Sequence, residues 1–264
     1  MAQADLPNVP AWFQNGFHRF LRPFLKRHFH AIAVERESLQ RMVVSDEEPL
    51  LVYGNHPSWW DPLVAHFLNR SLFPARQFYA PIDADALEQY QVFGKLGFYG
   101  VRLNTTSGAG AFLKQSLRIL EAEQTSIWIT PEGRFSDVRD HSAPLMPGLA
   151  HLCTRMERGK VLPLALEYAF WEERLPVCLV KVGPGIDIAS HSDCAKSEWG
   201  DRLTSILRQT QTELSELVIA RSSEPFENLI DGTKGAGFFY DSMRRAKSMF
   251  GRSKFQASHG KQFE

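Results

Sequence analysis

Short apolar runs alternate along this chain with longer stretches in which apolar residues recur every three or four positions. The runs read as buried strands and the periodic stretches as amphipathic helices. Strands are predicted at residues 50–53, 78–81, 126–130, 161–168 and 176–182, with a further short one inside 97–104 that carries Arg102. A hairpin turn is expected at 171–174, between the last two full strands. Helices are predicted at 12–29, 62–68, 83–96, 108–123, 147–158 and 198–221. Pro163 argues that its strand lies at a sheet edge or carries a bulge, and Pro23 should kink or divide the first helix. Strands alternating with helices imply an α/β fold: a mixed, mostly parallel sheet flanked by helices, with an N-terminal amphipathic helical element and a basic C-terminal tail. The expected organisation is 1–45 as N-terminal helices on a membrane surface, 46–222 as the α/β domain, and 223–264 as the tail.

Composition narrows the functional classes. At 264 residues with a formal net charge of +0, the chain lacks the basic excess of a general nucleic-acid binder. Its three cysteines, Cys153, Cys178 and Cys194, form no close-spaced pair, which suggests a reducing compartment without disulfides or a zinc site. His28 and His30 lack the further ligands a metal site needs. No apolar run is long enough to span a bilayer, and the N-terminus lacks the apolar core of a signal peptide. The expectation is a cytoplasmic protein, peripheral on the inner face of a membrane.

Charge is unevenly placed. Phe13, Phe17, Phe20 and Phe24 lie along one side of the first helix, and Arg19, Arg22, Lys26 and Arg27 fall on the other. That suits an interface with anionic lipid, although the same phenylalanines could pack on the domain core. The tail after Gly232 mixes Arg244, Arg245, Lys247, Arg252 and Lys254 with Phe238, Phe239, Phe250 and Phe255, making it a second membrane-surface element or a disordered basic tail.

The chemistry concentrates in two turns. Residues 50–53 run into Gly54-Asn55-His56-Pro57-Ser58-Trp59-Trp60-Asp61. Pro57 biases His56 away from helical angles, so the imidazole belongs on the turn beyond the strand's carboxyl end. Asp61 precedes Pro62, where a helix can start, and a tight loop can bring its carboxylate back to the ring. That pair is the orienting half of a Ser-His-Asp triad without its serine, and the missing hydroxyl could come from a substrate. The plainer reading is two residues capping a turn. Residues 126–130 end in Pro131-Glu132-Gly133-Arg134-Phe135-Ser136. Ligands gather at strand carboxyl ends in open α/β sheets, so two such turns suggest one site. Arg134 offers a fork for phosphate or carboxylate, and the plain alternative is a surface Glu132–Arg134 ion pair.

These residues resemble the glycerolipid (lysophospholipid, or lysophosphatidic acid) acyltransferase superfamily, whose four ordered blocks cover about 50–185. The first is Asn-His-x4-Asp, here Asn55 to Asp61. The second carries an arginine for the acceptor, here Gly100-Val101-Arg102-Leu103. The third is Pro-Glu-Gly-Thr-Arg-Ser, here Pro131 to Ser136. The fourth is an apolar stretch with a proline, here Val161-Leu162-Pro163-Leu164. Two departures stand out. The third block lacks its threonine, so Arg134 follows Gly133 directly and Phe135 takes the usual arginine place. In the second block the arginine comes one residue early, and a one-residue shift in a strand turns a side chain to the other face. The second departure bears on whether the acceptor carries phosphate; Arg134 carries over more safely than Arg102.

The resemblance implies an O-acyltransferase in which His56 is the general base on a lipid hydroxyl and Asp61 orients it. It implies substrate contacts from Asn55, Ser58, Arg102, Glu132, Gly133 and Arg134. No cofactor is implied beyond acyl-CoA or acyl carrier protein as co-substrate. The expected partners are a membrane surface with anionic lipid, the acyl donor and a lysophospholipid-type or glycolipid acceptor, with no nucleic acid. Trp59 and Trp60 line the site or the membrane side, or simply pack. The alternatives are a thioesterase or hydrolase using the same pair on water or Ser58, and a non-catalytic membrane-surface adaptor.

Overall fold

The computed structural model describes residues 6–102, 105–233 and Phe263. Among the described residues nine strands form one sheet: β1 (Ala31–Glu35), β2 (Leu50–Gly54), β3 (Gln77–Asp83), β4 (Phe98–Val101), β5 (Thr125–Ile129), β6 (Lys160–Ala169), β7 (Val177–Val182), β8 (Ile186–Asp187) and β9 (Phe226–Asp231). The order is β4-β3-β5-β2-β6-β7-β1-β9, with β8 paired to β6. The run from β4 to β6 is parallel, β6 and β7 form an antiparallel hairpin, and β1 lies parallel to β7 and antiparallel to β9. This is the mixed, mostly parallel α/β sheet expected.

Helices cover both faces. They are α1 (Ala11–His28), α2 (Arg36–Arg41), α3 (Asp61–Leu72), α4 (Ala84–Gln89), α5 (Thr106–Glu121), α6 (Gly148–Cys153) and α7 (Lys196–Ala220). Alternation along the strands divides the core between the faces. Leu50 and Val52 of β2 pack with Leu21 and Leu25 of α1 and with Val64, Phe67 and Leu68 of α3. Leu51 and Tyr53 pack on the other side with Phe112, Ile119 and Leu120 of α5 and with Trp199, Leu203 and Leu207 of α7.

Several expectations change. The sheet crosses the expected boundaries, taking β1 from within 1–45 and β9 from within 223–264. Pro163 is on neither edge: β6 lies between β2 and β7. Its missing N–H falls where pairing with β8, at Lys160 and Val161, has ended and pairing with β7, from Leu164, has not begun; its carbonyl accepts from Gly183 N–H at 3.0 Å. The interruption the proline demands is met inside the sheet. α1 passes through Pro23 undivided, with the ring on the solvent side. The stretch 83–96 is broken into α4 and a 3-10 turn (Gln91–Leu96), and α6 stops well before residue 158. The tail reading lies outside the described residues, apart from Gly232, Thr233 and Phe263, whose ring stacks on Trp171 at 5.5 Å.

Candidate active site

Because β2, β3, β4 and β5 run parallel with the first half of β6, their carboxyl ends share one edge of the sheet. His56 follows β2 there, Glu132 follows β5, and Arg102 follows β4. β6 continues past the end of β2 and supplies Leu166 and Tyr168 beneath the first turn.

The His56–Asp61 pair forms. His56 Nδ1 lies 2.7 Å from Asp61 Oδ2, with side-chain exposures of 19% and 4%. A carboxylate only accepts, so Nδ1 carries the proton and Nε2 is left as the basic nitrogen. Asp61 is the first residue of α3, where the helix dipole favours its charge. Its Oδ2 also accepts from Ser58 N–H at 3.0 Å, and its Oδ1 from the Tyr168 hydroxyl at 2.6 Å. Burial, with Cys178 and Asp61 nearby, pushes the Tyr168 phenol well above its usual range, so Tyr168 stays a donor. Two donors from distant places in the chain, Ser58 N–H and the Tyr168 hydroxyl, thus hold one carboxylate, which holds one imidazole.

The two turns are joined directly. Ser136 N–H donates to His56 carbonyl at 3.0 Å, and the Phe135 ring lies against the imidazole with centroids 4.3 Å apart. Gly133 turns the chain with φ of +65°, a conformation that suits glycine, and its N–H closes the turn onto the Thr130 carbonyl at 3.1 Å.

The other sequence-predicted residues have different surroundings. Asn55 uses both ends of its buried amide on β6, donating to Leu166 carbonyl at 2.9 Å and accepting from Leu166 N–H at 2.8 Å. Ser58 works within the turn, its hydroxyl accepting from Trp60 N–H at 3.2 Å. The surface Glu132–Arg134 pair does not form. Glu132 is buried and meets Arg208 of α7 at 2.7 Å, while Arg134 lies exposed, 3.8 Å from Asp140. Arg102 is exposed beyond edge strand β4. Three strand spacings separate β4 from β2, about 14 Å. Trp60 packs on Phe29 of the α1 end at 5.0 Å, whereas Trp59 is 67% exposed beside the site.

Tyr168 and Arg208 have site roles that sequence reasoning missed. Tyr168 ends an apolar strand with nothing local to mark it, and Arg208 sits on a helix 76 residues from its partner. Among the described residues no group of three or more His, Cys, Asp or Glu side chains is placed to hold a metal ion.

A family model described as Acyltransferase matches residues 31–167, more than half of the chain. The chain belongs to the acyltransferase family. The matched span begins at β1 and ends beside Tyr168, so it holds the first and third blocks and the strand beneath them. Among solved structures, the acyltransferase chain is similar to the 1-acyl-sn-glycerophosphate acyltransferase PlsC from Thermotoga maritima. The two are 14% identical with a TM-score of 0.49, over 77% of this chain and 78% of that one. No curated protein matches the chain.

Proposed function

We propose that this acyltransferase moves a fatty acyl group from an acyl thioester, on CoA or acyl carrier protein, to a lipid hydroxyl, with His56 as general base. The observation that carries the reading is the 2.7 Å contact between His56 Nδ1 and Asp61, which leaves Nε2 as the basic nitrogen. His56 Nε2 takes the proton from the acceptor hydroxyl as its oxygen attacks the thioester carbonyl. Asp61 steadies the imidazolium that forms. As the tetrahedral intermediate collapses, the carbon–sulfur bond breaks and the imidazolium returns the proton to the leaving thiolate. The products are an oxygen ester and a free thiol. No acyl-enzyme is required, because the nucleophile arrives with the acceptor. The Ser58 hydroxyl is engaged with Trp60 N–H, which favours an external alcohol over Ser58 as nucleophile.

The reading includes a membrane surface as the place of reaction. On α1, Leu21 and Leu25 face the core while Arg19, Arg22, Lys26 and Arg27 are exposed together with Trp12 and Phe20. Basic and aromatic side chains on one outward face suit anionic headgroups on the cytoplasmic leaflet. Among the described residues no helix is long and apolar enough to cross a membrane.

The test is thiol release from dodecanoyl-CoA with and without lipid alcohols, with products identified by mass. Release that depends on the alcohol and yields its ester is expected, and His56→Ala should lower it by about 10²- to 10⁴-fold while the protein stays folded. Folded His56→Ala protein of near-wild-type activity would reject the assignment.

A further inference from the structure

Resting on that reading, we infer that the acceptor hydroxyl belongs to an uncharged lipid headgroup, a sugar or glycerol hydroxyl with no phosphate beside the reacting oxygen. The first support is what lies against the imidazole. Phe135, 58% exposed, covers the His56 ring at 4.3 Å with its plane tilted 37°. The group beside the base is therefore an open apolar ring face. Trp59, before Asp61, and Phe170, just past Tyr168, are exposed as well, at 67% and 66%. Aromatic faces at the mouth of a polar site suit the C–H faces of a neutral ring or a glyceryl chain, and bring no positive charge to an anion.

The second support is the distribution of charge. The loop that brings Phe135 to His56 carries Arg134 and Arg139, and each faces an acid of the same loop. Arg134 lies 3.8 Å from Asp140, and Arg139 grips Asp137 through Nη2 at 2.7 Å and Nε at 2.8 Å. Arg208, the next guanidinium inward, bonds Glu132. Beneath the loop, Glu167 of β6 adds a carboxyl that burial raises above its ordinary value, with Arg139 and Asp137 as its charged neighbours. Setting the Glu132–Arg208 pair aside, these groups and Asp61 amount to four carboxyls, of which Glu167 is shifted toward its neutral form, against two guanidiniums that each already face an acid. His56 is neutral when it acts as a base. A phosphate monoester placed here would meet a field of its own sign in a partly desolvated site, which costs more than it does in water. A neutral hydroxyl meets no such penalty. Arg102 follows edge strand β4, three strand spacings or about 14 Å from β2, so it is not among the groups beside the reacting oxygen.

The experiment compares acceptors with the full-length protein. Dodecanoyl-CoA is the donor, and an alkyl glucoside, a monoacylglycerol and lysophosphatidate are supplied at matched concentrations. The expected result is a kcat/KM at least about tenfold higher for one of the neutral acceptors than for lysophosphatidate, a discrimination of ordinary size for one unfavourable charge contact. Preference for the glucoside identifies a sugar hydroxyl, and preference for the monoacylglycerol a glycerol hydroxyl; either supports the inference. Lysophosphatidate used as well as or better than both overturns it while leaving acyl transfer by His56 intact. Thiol release that no acceptor accelerates overturns both. Phe135→Arg supplies the missing positive charge at an exposed position and should move the acceptor ratio toward lysophosphatidate by about fivefold or more. Phe135→Ala should weaken the neutral acceptor without improving lysophosphatidate. An unchanged acceptor ratio in both variants would remove Phe135 from the argument and overturn the inference.

Discussion

The carboxylate of Glu132 and the guanidinium of Arg208 meet at 2.7 Å inside the protein, with side-chain exposures of 1% and 11%. Arg208 also reaches the Gln211 amide oxygen and the Ala143 carbonyl. Helix α7 thereby holds both ends of the loop that carries Phe135 over His56. Removing one partner of a buried pair leaves the other charge uncompensated. Arg208→Met should therefore destabilise the fold by about 3 kcal/mol. Adding Glu132→Gln to that variant should recover part of the loss, because the orphaned charge is gone. Urea unfolding of the wild type, the single variant and the double variant checks this. A double variant no more stable than the single one would mean that the pair is not the source.

Tyr168 should matter to activity more than to folding. Its hydroxyl donates to Asp61 Oδ1 at 2.6 Å, and the phenol's raised pKa keeps it protonated throughout the working range. A hydrogen bond to a charged group contributes about 1.5–3 kcal/mol. If half of that is expressed when the imidazolium forms, Tyr168→Phe lowers kcat by about three- to tenfold with little change in KM. Steady-state thiol release with a parallel melting curve separates the two effects. An unaltered kcat would show that Ser58 N–H and the helix terminus suffice to hold Asp61.

The sequence made the β2 turn legible because every signal there is local: a short apolar strand, a glycine, a proline that fixes the backbone at His56, and an aspartate before a helix-starting proline. β1 and β9 left no comparable trace. Ala31 to Glu35 runs into Arg36 and Glu37 with no glycine or proline, so it reads as a continuation of helix. Phe226 to Asp231 is a half-polar edge strand that, among the described residues, pairs only with β1, and its alternation is irregular. Glu132 reads as a substrate contact or, more plainly, a surface charge because its partner Arg208 is far away in sequence. Asn55 reads as a substrate contact through the resemblance, because it opens the Asn-His-x4-Asp block, and only the continuation of β6 beyond β2 reveals its partner. Contacts between distant segments decide such residues, and neither period nor spacing records them.

Asn55 should prove structural. Its side chain copies one backbone bridge, holding Leu166 at 2.9 and 2.8 Å where β2 has already turned away. Asn55→Leu would leave a buried N–H and a buried carbonyl unpaired, at a cost of about 2 kcal/mol or more. The expected signature is a lower urea midpoint and faster amide exchange at Leu166, along with lost activity. Full stability with lost activity would instead make Asn55 a substrate contact.

His66 sets an acid limit on the fold. It lies on α3, fully buried, with its ring 3.9 Å from Phe78 and 5.6 Å from Phe98 in one direction, and 5.3 Å from Phe17 and 5.9 Å from His18 of α1 in the other. Burial, reinforced by His18, pushes its pKa down to about 3. The unfolded chain binds a proton at the ordinary histidine value and the folded chain does not. The stability that His66 contributes is therefore complete above that ordinary value and is lost as pH falls toward 3, by about 2 kcal/mol at pH 5. His18, itself lowered by burial and by Arg70, acts in the same direction, so the variant must be compared with the wild type at each pH. His66→Phe keeps the aromatic packing and removes the proton. Its urea midpoint should fall less than that of the wild type between pH 8 and pH 5. Equal losses in the two proteins would assign the acid sensitivity to other groups.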